Sequence, residues 1–310
     1  MKIKWMASRV RRFICLTECF GTAVLAASVA QAQNLFESDN SGHIYEFTPG
    51  GAQSTFASGI TNPDGLAFNS AGNLFVADWS VGNIYQYTPG GVQSTFATGL
   101  NNPSLIAFNG AGDLFVSDQG SGNIYQYTPG GVQSTFASGV TTPTGLAFDS
   151  AGNLYVANFL GDSITKITPG GVKSTFVTGL ALPVGIAFDS AGNLFEADSG
   201  SGNIYEFNSV GARSVFASGL AKPYALAFDA SGNLFAGDLG SGNIYKYTPG
   251  GVRSTFASGL DTGPAGYGNM QLAFQGVALP VPEPSMFGFM TAGLGVMLAR
   301  KVRRISAARR

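Results

Sequence analysis

One feature restricts what this chain can fold into more than any other: a block of forty residues that recurs without change of spacing. Its cleanest copy runs from Ser121-Gly-Asn-Ile-Tyr-Gln-Tyr-Thr-Pro-Gly-Gly to Leu154-Tyr-Val-Ala-Asn158. Further copies open at Val81, Gly161, Ser201 and Ser241, and a shortened one opens at Ser41. A fixed period of this length means an array of like supersecondary units, each burying against its neighbours a face it cannot bury alone.

Each unit holds four short apolar or aromatic runs, for example Gly65-Leu-Ala-Phe68, Asn73-Leu-Phe-Val-Ala-Asp78, Asn83-Ile-Tyr-Gln-Tyr-Thr88 and Val92-Gln-Ser-Thr-Phe-Ala97. They are strand-length, rich in β-branched and aromatic residues, and carry no helical period. We name them strands a to d. Asp149-Ser-Ala-Gly-Asn153 between a and b, and Thr88-Pro-Gly-Gly91 between c and d, have the Asp, Pro and Gly that tight turns require, so each unit reads as a four-stranded antiparallel meander. Strands a and b lack a polar side, as sheets covered on both faces do. Strand d, with Gln93, Ser94 and Thr95, suits a solvent-facing edge.

Sheets of this kind stack around an axis as the blades of a β-propeller. The N-terminal unit begins at strand b, Asn34-Leu-Phe-Glu-Ser-Asp39, and its missing strand a reappears as Met270-Gln-Leu-Ala-Phe274. One blade is therefore expected to contain both ends of the repeat region. Counting strand b at Leu35, Leu74, Leu114, Leu154, Leu194 and Leu234 predicts an all-β fold of six blades over residues 33–276. An open β-solenoid is the competing reading, disfavoured because solenoid coils do not share a unit between chain ends.

The flanks read as processing segments. Residues 1–32 have a basic start (Lys2, Lys4, Arg9, Arg11, Arg12), an apolar run and Ala30-Gln-Ala32, the layout of a secretory signal peptide. Both cysteines, Cys15 and Cys19, fall inside it, so no disulfide is expected after its removal. Residues 277–310 hold a Pro-rich spacer, an apolar run from Met286 to Ala299 and a basic tail with Arg300, Lys301, Arg303 and Arg304. As a single hydrophobic helix that run spans roughly 21 Å, short of a hydrocarbon core of about 30 Å, so it is expected to span only with thinning of the bilayer or snorkelling of its flanking charges and to meet the membrane transiently. Between Gln33 and Ser285 lie six Lys and Arg against seventeen Asp and Glu, a net charge near −11 that argues against nucleic acid as a partner.

The tail resembles the PEP-CTERM sorting signal of bacterial exported proteins, carried by Val281, Pro282, Glu283, Pro284 and Ser285, the apolar run and the basic cluster, in that order. The resemblance implies an exosortase-type processing protease as partner, an inner-membrane intermediate, and a final place at the cell surface or outside the cell. The repeats resemble NHL and SMP-30/gluconolactonase-like six-bladed propellers through Pro-x-Gly-Leu-Ala-Phe-Asp-Ser-Ala-Gly-Asn-Leu-Phe-Val-Ala-Asp, nearly intact from Pro143 to Asn158 and Pro183 to Asp198. That superfamily includes lactonases, lyases and binding scaffolds, so fold does not decide activity.

Candidate functional residues are those that break the repeat. Asp39, Asp78, Asp118, Asp198 and Asp238, with Asn158 as the odd member, end strand b in every blade; a ring of Ca²⁺ ligands is one reading, and the plainer one is that each accepts hydrogen bonds from the following turn, a bond Asn158 can also make. The SMP-30 resemblance implies a divalent metal in the channel, for which Asp64, Asn62 and Asn102 are the matching ligand types, with no counterpart for the family's Glu. The single histidine, His43, stands where four other blades have Asn83, Asn123, Asn203 and Asn243, and reads as a surface change. The loops on one face vary most, and Trp79, Phe159, Tyr224 and Tyr267 bring aromatics suited to a carbohydrate or protein.

The sequence thus predicts a monomeric, exported binding or scaffold protein that uses those aromatics toward exopolysaccharide or envelope proteins and needs no cofactor. The alternative is a metal-dependent lactonase or hydrolase using Asp64, Asn62 and Asn102, with Ca²⁺ or another divalent cation.

Overall fold

The computed structural model describes residues 33–263 and 269–276, and the proposed signal peptide and sorting tail lie outside them. Turn chemistry sets the strands. In the a–b turn of the fourth blade the Asp149 carboxylate accepts from the amides of Ala151 and Asn153 at 3.0 and 2.8 Å, and Gly152 takes a φ of +79°. The c–d turn closes by Gly91 N–H to Thr88 O at 2.8 Å, with the Thr88 hydroxyl accepting from Val92, and both arrangements recur around the molecule.

Six four-stranded antiparallel sheets result. Strand b of the successive blades covers Leu35–Ser38, Leu74–Asp78, Leu114–Asp118, Leu154–Asn158, Leu194–Asp198 and Leu234–Asp238. The first blade takes its strand a, Gln271–Phe274, from the end of the repeat region. Leu35 pairs with Phe274 and Ser38 with Gln271, so the expected closure is observed residue for residue. The innermost strands a touch one another in a complete circuit. Among the described residues no helix is long and apolar enough to cross a membrane.

The core lies in the seams between blades. At each seam a strand-b aromatic is packed edge-on between strand d of its own blade and strand a of the next. Phe36 meets Phe56 and Phe68 at 5.1 and 4.9 Å, and Phe235 meets Phe256 and Phe274 at 5.0 and 4.9 Å across the closing seam. Such edge-to-face pairs contribute about 0.5–1.5 kcal/mol each beyond area burial. The following strand-b residue faces the preceding blade, as Val156 does by packing with Phe115 and Ile124. Nearer the axis the backbones almost touch: a Cβ at Gly65 would lie 2.4 Å from the Ser104 carbonyl, and one at Gly145 2.2 Å from that of Val184.

Candidate functional site at one channel mouth

The strand-b carboxylates are structural, and they do more than the sequence implies. Asp118 accepts from the Ser121 amide in the following turn at 3.0 Å and from the Asn101 amide, in the crossover that leads into its own blade, at 2.7 Å; Asp78, Asp198 and Asp238 likewise bind the crossovers that precede them. Asn158 departs from expectation. Its Nδ2 donates to the hydroxyls of Ser163 and Thr165, and its Oδ1 has no partner. A neutral amide cannot replace a carboxylate that accepts on both oxygens. His43 is part-exposed and stacked on Tyr45, in keeping with a surface role.

These bonds tie the b–c loops and the d–a crossovers into one face. In the second to sixth blades the residue after the last one of strand b donates its amide to the crossover, as Trp79 does to Asn62 O at 3.0 Å and Phe159 to Thr142 O at 3.0 Å. On this face residues singled out for two different roles join in one hydrogen-bonded arc. Asn102 Nδ2 donates to Trp79 O at 3.2 Å, the Trp79 amide to Asn62 O, Asn269 Nδ2 to Asn62 Oδ1 at 2.7 Å, and the Tyr224 hydroxyl to Asn269 Oδ1 at 3.5 Å. Trp79 is half-buried and its indole N–H is fixed to Gln119 Oε1 at 3.2 Å. Phe159, in a 3₁₀ turn of the fourth blade, stands apart from the arc, and Tyr267 lies outside the described residues.

Asp64 occupies the second position of strand a, where the other blades have Ser104, Thr144, Val184, Tyr224 and Met270. It is 2% exposed, accepts from the Ser104 hydroxyl at 2.7 Å, and has no hydrogen bond at Oδ1. The Gln271 amide at the start of the closing strand lies close enough to steady its charge, although neither Gln271 Nε2 nor Asp64 Oδ1 completes a hydrogen bond. Burial pushes the Asp64 carboxyl up to about 6, against the opposing pull of Ser104 and Gln271. The Tyr224 hydroxyl is held well above its ordinary value, first by burial and then by the Asp64 charge, so it stays protonated.

The donors do not compose a cage for a divalent cation. Asp64 supplies the one carboxylate, the Asn62 Oδ1 is already bonded to Asn269, and the Asn102 amide is turned to Trp79. Among the described residues no three His, Cys, Asp or Glu side chains gather at metal-binding spacing.

Sequence reasoning missed Asn269, just ahead of the closing strand, Gln271 at its start, and a second class of break in the repeat. Glu37 and Glu196 take the strand-b position filled by Val76, Val116, Val156 and Ala236. Both are fully buried with no hydrogen bond to either oxygen, and burial, followed by the charge of Asp39 or Asp198, raises their carboxyls well above the ordinary value. Reading that column across the blades exposes them at once.

A family model described as SMP-30/Gluconolactonase/LRE-like region matches residues 25–120, the stretch that contains Asn62, Asp64, Trp79, Asn102 and Ser104. No curated protein sequence matches the chain. Among solved structures, a chain of a nidogen/laminin complex is similar at 21% identity and a TM-score of 0.68, covering 78% of this chain and 98% of its own. A catalytically inactive virginiamycin B lyase from Staphylococcus aureus with quinupristin is similar at 16% identity and a TM-score of 0.59, with coverage of 80% and 94%. A gluconolactonase of Xanthomonas campestris is similar at 19% identity and a TM-score of 0.61, with coverage of 66% and 78%. At these identities the structures establish the shared propeller fold. The family match extends over strands b to d of the first blade, the whole second blade and strands a and b of the third.

Proposed function

We propose that this propeller hydrolyses a lactone or related ester at the channel mouth bordered by Trp79, Asn62, Asn269 and Tyr224, with Asp64 as general base. The observation that carries the reading is Asp64 itself: a buried carboxylate at a position no other blade makes acidic, with an unbonded oxygen and a pKa raised by burial to about 6, inside the stretch that matches the family. Asp64 takes a proton from water as the water oxygen adds to the lactone carbonyl carbon. The protonated Tyr224 hydroxyl donates to the developing oxyanion. The ring C–O bond then breaks, and the leaving alkoxide recovers the proton from Asp64, giving the hydroxy acid. No step is routed through a metal, because the residues present do not form a site for one.

A panel of γ- and δ-lactones, assayed with chelator and with added Ca²⁺ or Zn²⁺, tests this. Turnover lost in Asp64→Asn and lowered in Tyr224→Phe supports it. Absence of turnover across the panel overturns it.

A second reading is favoured by the fixed, half-buried indole of Trp79: a binding scaffold that presents Trp79, Phe159 and Tyr224 to exopolysaccharide or envelope proteins. It goes with export through residues 1–32 and processing of the tail by an exosortase-type protease. A glycan array with the wild type and Trp79→Ala separates the two, since the scaffold reading requires glycan binding that the substitution removes.

A further inference from the structure

The fourth blade differs from the other five in one place and in several residues at once. Strand b ends in Asn158, where the others have Asp. Strand c reads Ser163-Ile-Thr165, where the others carry Tyr45, Tyr85, Tyr125, Tyr205 and Tyr245 at the position of Thr165. In the second, third, fifth and sixth blades that tyrosine hydroxyl accepts from an Asn two residues earlier, as Tyr85 does from Asn83 at 3.2 Å and Tyr245 from Asn243 at 3.0 Å. In the fourth blade no ring fills the space. A cleft of ≈280 Å³ remains, bordered by Thr141, Asn158, Ser163, Thr165, Lys173 and Ser174.

Its chemistry is distinctive. Asn158 is 5% exposed, uses Nδ2 on Ser163 and Thr165, and leaves Oδ1 unsatisfied, whereas a buried amide ordinarily uses both ends. The Thr141 amide makes none of the bonds by which Asn101, Ala181 and Ala221 reach their strand-b carboxylate. The cation beside strand c differs as well. Arg213 and Arg253, the counterparts of Lys173, lie over Tyr205 and Tyr245 at 4.8 and 4.9 Å. Lys173 has Thr165 in place of a ring beside it, and its Nζ donates to the Ser138 carbonyl at 2.5 Å at the border of the cleft, as Arg213 Nη1 donates to the Gly179 carbonyl at 3.0 Å.

We infer that this cleft binds a small hydroxylated carboxylate, of the size of a single sugar acid, with its carboxylate toward Lys173 and its hydroxyls toward Asn158, Thr165 and Ser163. Replacing the strand-b carboxylate by a neutral amide removes the charge that repels an anion in the other blades. The amide and the surrounding hydroxyls match a polyol, which both donates and accepts. The site lies on the fourth blade, away from Asp64, and is independent of the hydrolytic reading.

Calorimetric titration of the repeat domain with glucuronate, alongside glucose and inorganic phosphate, tests the inference. Glucuronate is expected to bind with a Kd of about 1 mM, the strength of a few charge-assisted bonds. Thr165→Tyr and Asn158→Asp restore residues that the other blades already accommodate; each is expected to weaken binding at least tenfold with the circular dichroism spectrum unchanged, and Asp64→Asn is expected to leave it intact. Saturation by an oligouronide as well as by the monomer would assign the source to a polymer. Absence of glucuronate binding up to about 50 mM, equal affinity for glucose or phosphate, or unaltered binding by Thr165→Tyr overturns the inference.

Discussion

Ser104 donates a 2.7 Å hydrogen bond to the Asp64 carboxylate across the seam between the second and third blades. The bond favours the charged form, so Ser104→Ala raises the Asp64 pKa above its value of about 6. The acidic limb of kcat/KM for lactone hydrolysis is expected to move up by about one pH unit, since a bond to a charged group contributes about 1.5 kcal/mol. A limb that stays in place separates Asp64 from catalysis.

Glu196 lies in an apolar seam with neither oxygen bonded, at a position that three other blades fill with valine. Its carboxyl keeps the proton in the folded chain at pH values where the unfolded chain, near 4.5, has released it. That contribution to stability is complete below about pH 4.5 and is lost as pH rises through the folded value. Glu196→Val is therefore expected to stabilise the domain by about 1–3 kcal/mol at pH 8 and to flatten the rise in Tm on acidification. Thermal melts from pH 4 to 8 check both.

Gly65 is held by the closeness of the inner strands, since an added Cβ would meet the Ser104 carbonyl at 2.4 Å. Gly65→Ala is expected to cost about 1–3 kcal/mol in urea unfolding. Gly50→Ala, in an exposed turn where a Cβ would meet nothing closer than 4.0 Å, is expected to change stability by under about 0.5 kcal/mol.

Phe274 is 7% exposed and packs on Phe235 at 4.9 Å, so the closing strand is held by the same aromatic contact as every other seam. Phe274→Ala is expected to cost about 3–5 kcal/mol and to bring concentration-dependent association, as strand b of the first blade loses its cover. Light scattering beside denaturant curves measures both effects.

The period, the turns and the split blade were legible in the sequence because they depend on local chemistry: Gly at positive φ, Asp at turn starts, aromatics at fixed spacing. Closure followed from one missing strand and one spare strand, and Leu35 does pair with Phe274. Trp79, Asn62, Asn102 and Tyr224 were each visible as departures from the repeat, although their union in one arc was not, because it passes through Asn269, outside the regular pattern. The role of Asn158 was misjudged: one side-chain oxygen cannot bind turn and crossover together, and the loss of Tyr at Thr165 gave its Nδ2 other acceptors. Glu37 and Glu196 escaped notice because strand b is otherwise apolar, and one buried acid barely alters that pattern.

Gln33 and Gln275 are joined by a hydrogen bond across 242 residues. Synthesis at about 5–20 residues per second leaves roughly 12–48 s between the first of these residues and the last. Throughout that interval the strand Leu35–Ser38 lacks the neighbour, Gln271–Phe274, that covers it in the finished fold. Sealing of the ring therefore waits on the last residues of the repeat region, whichever blades have formed before them.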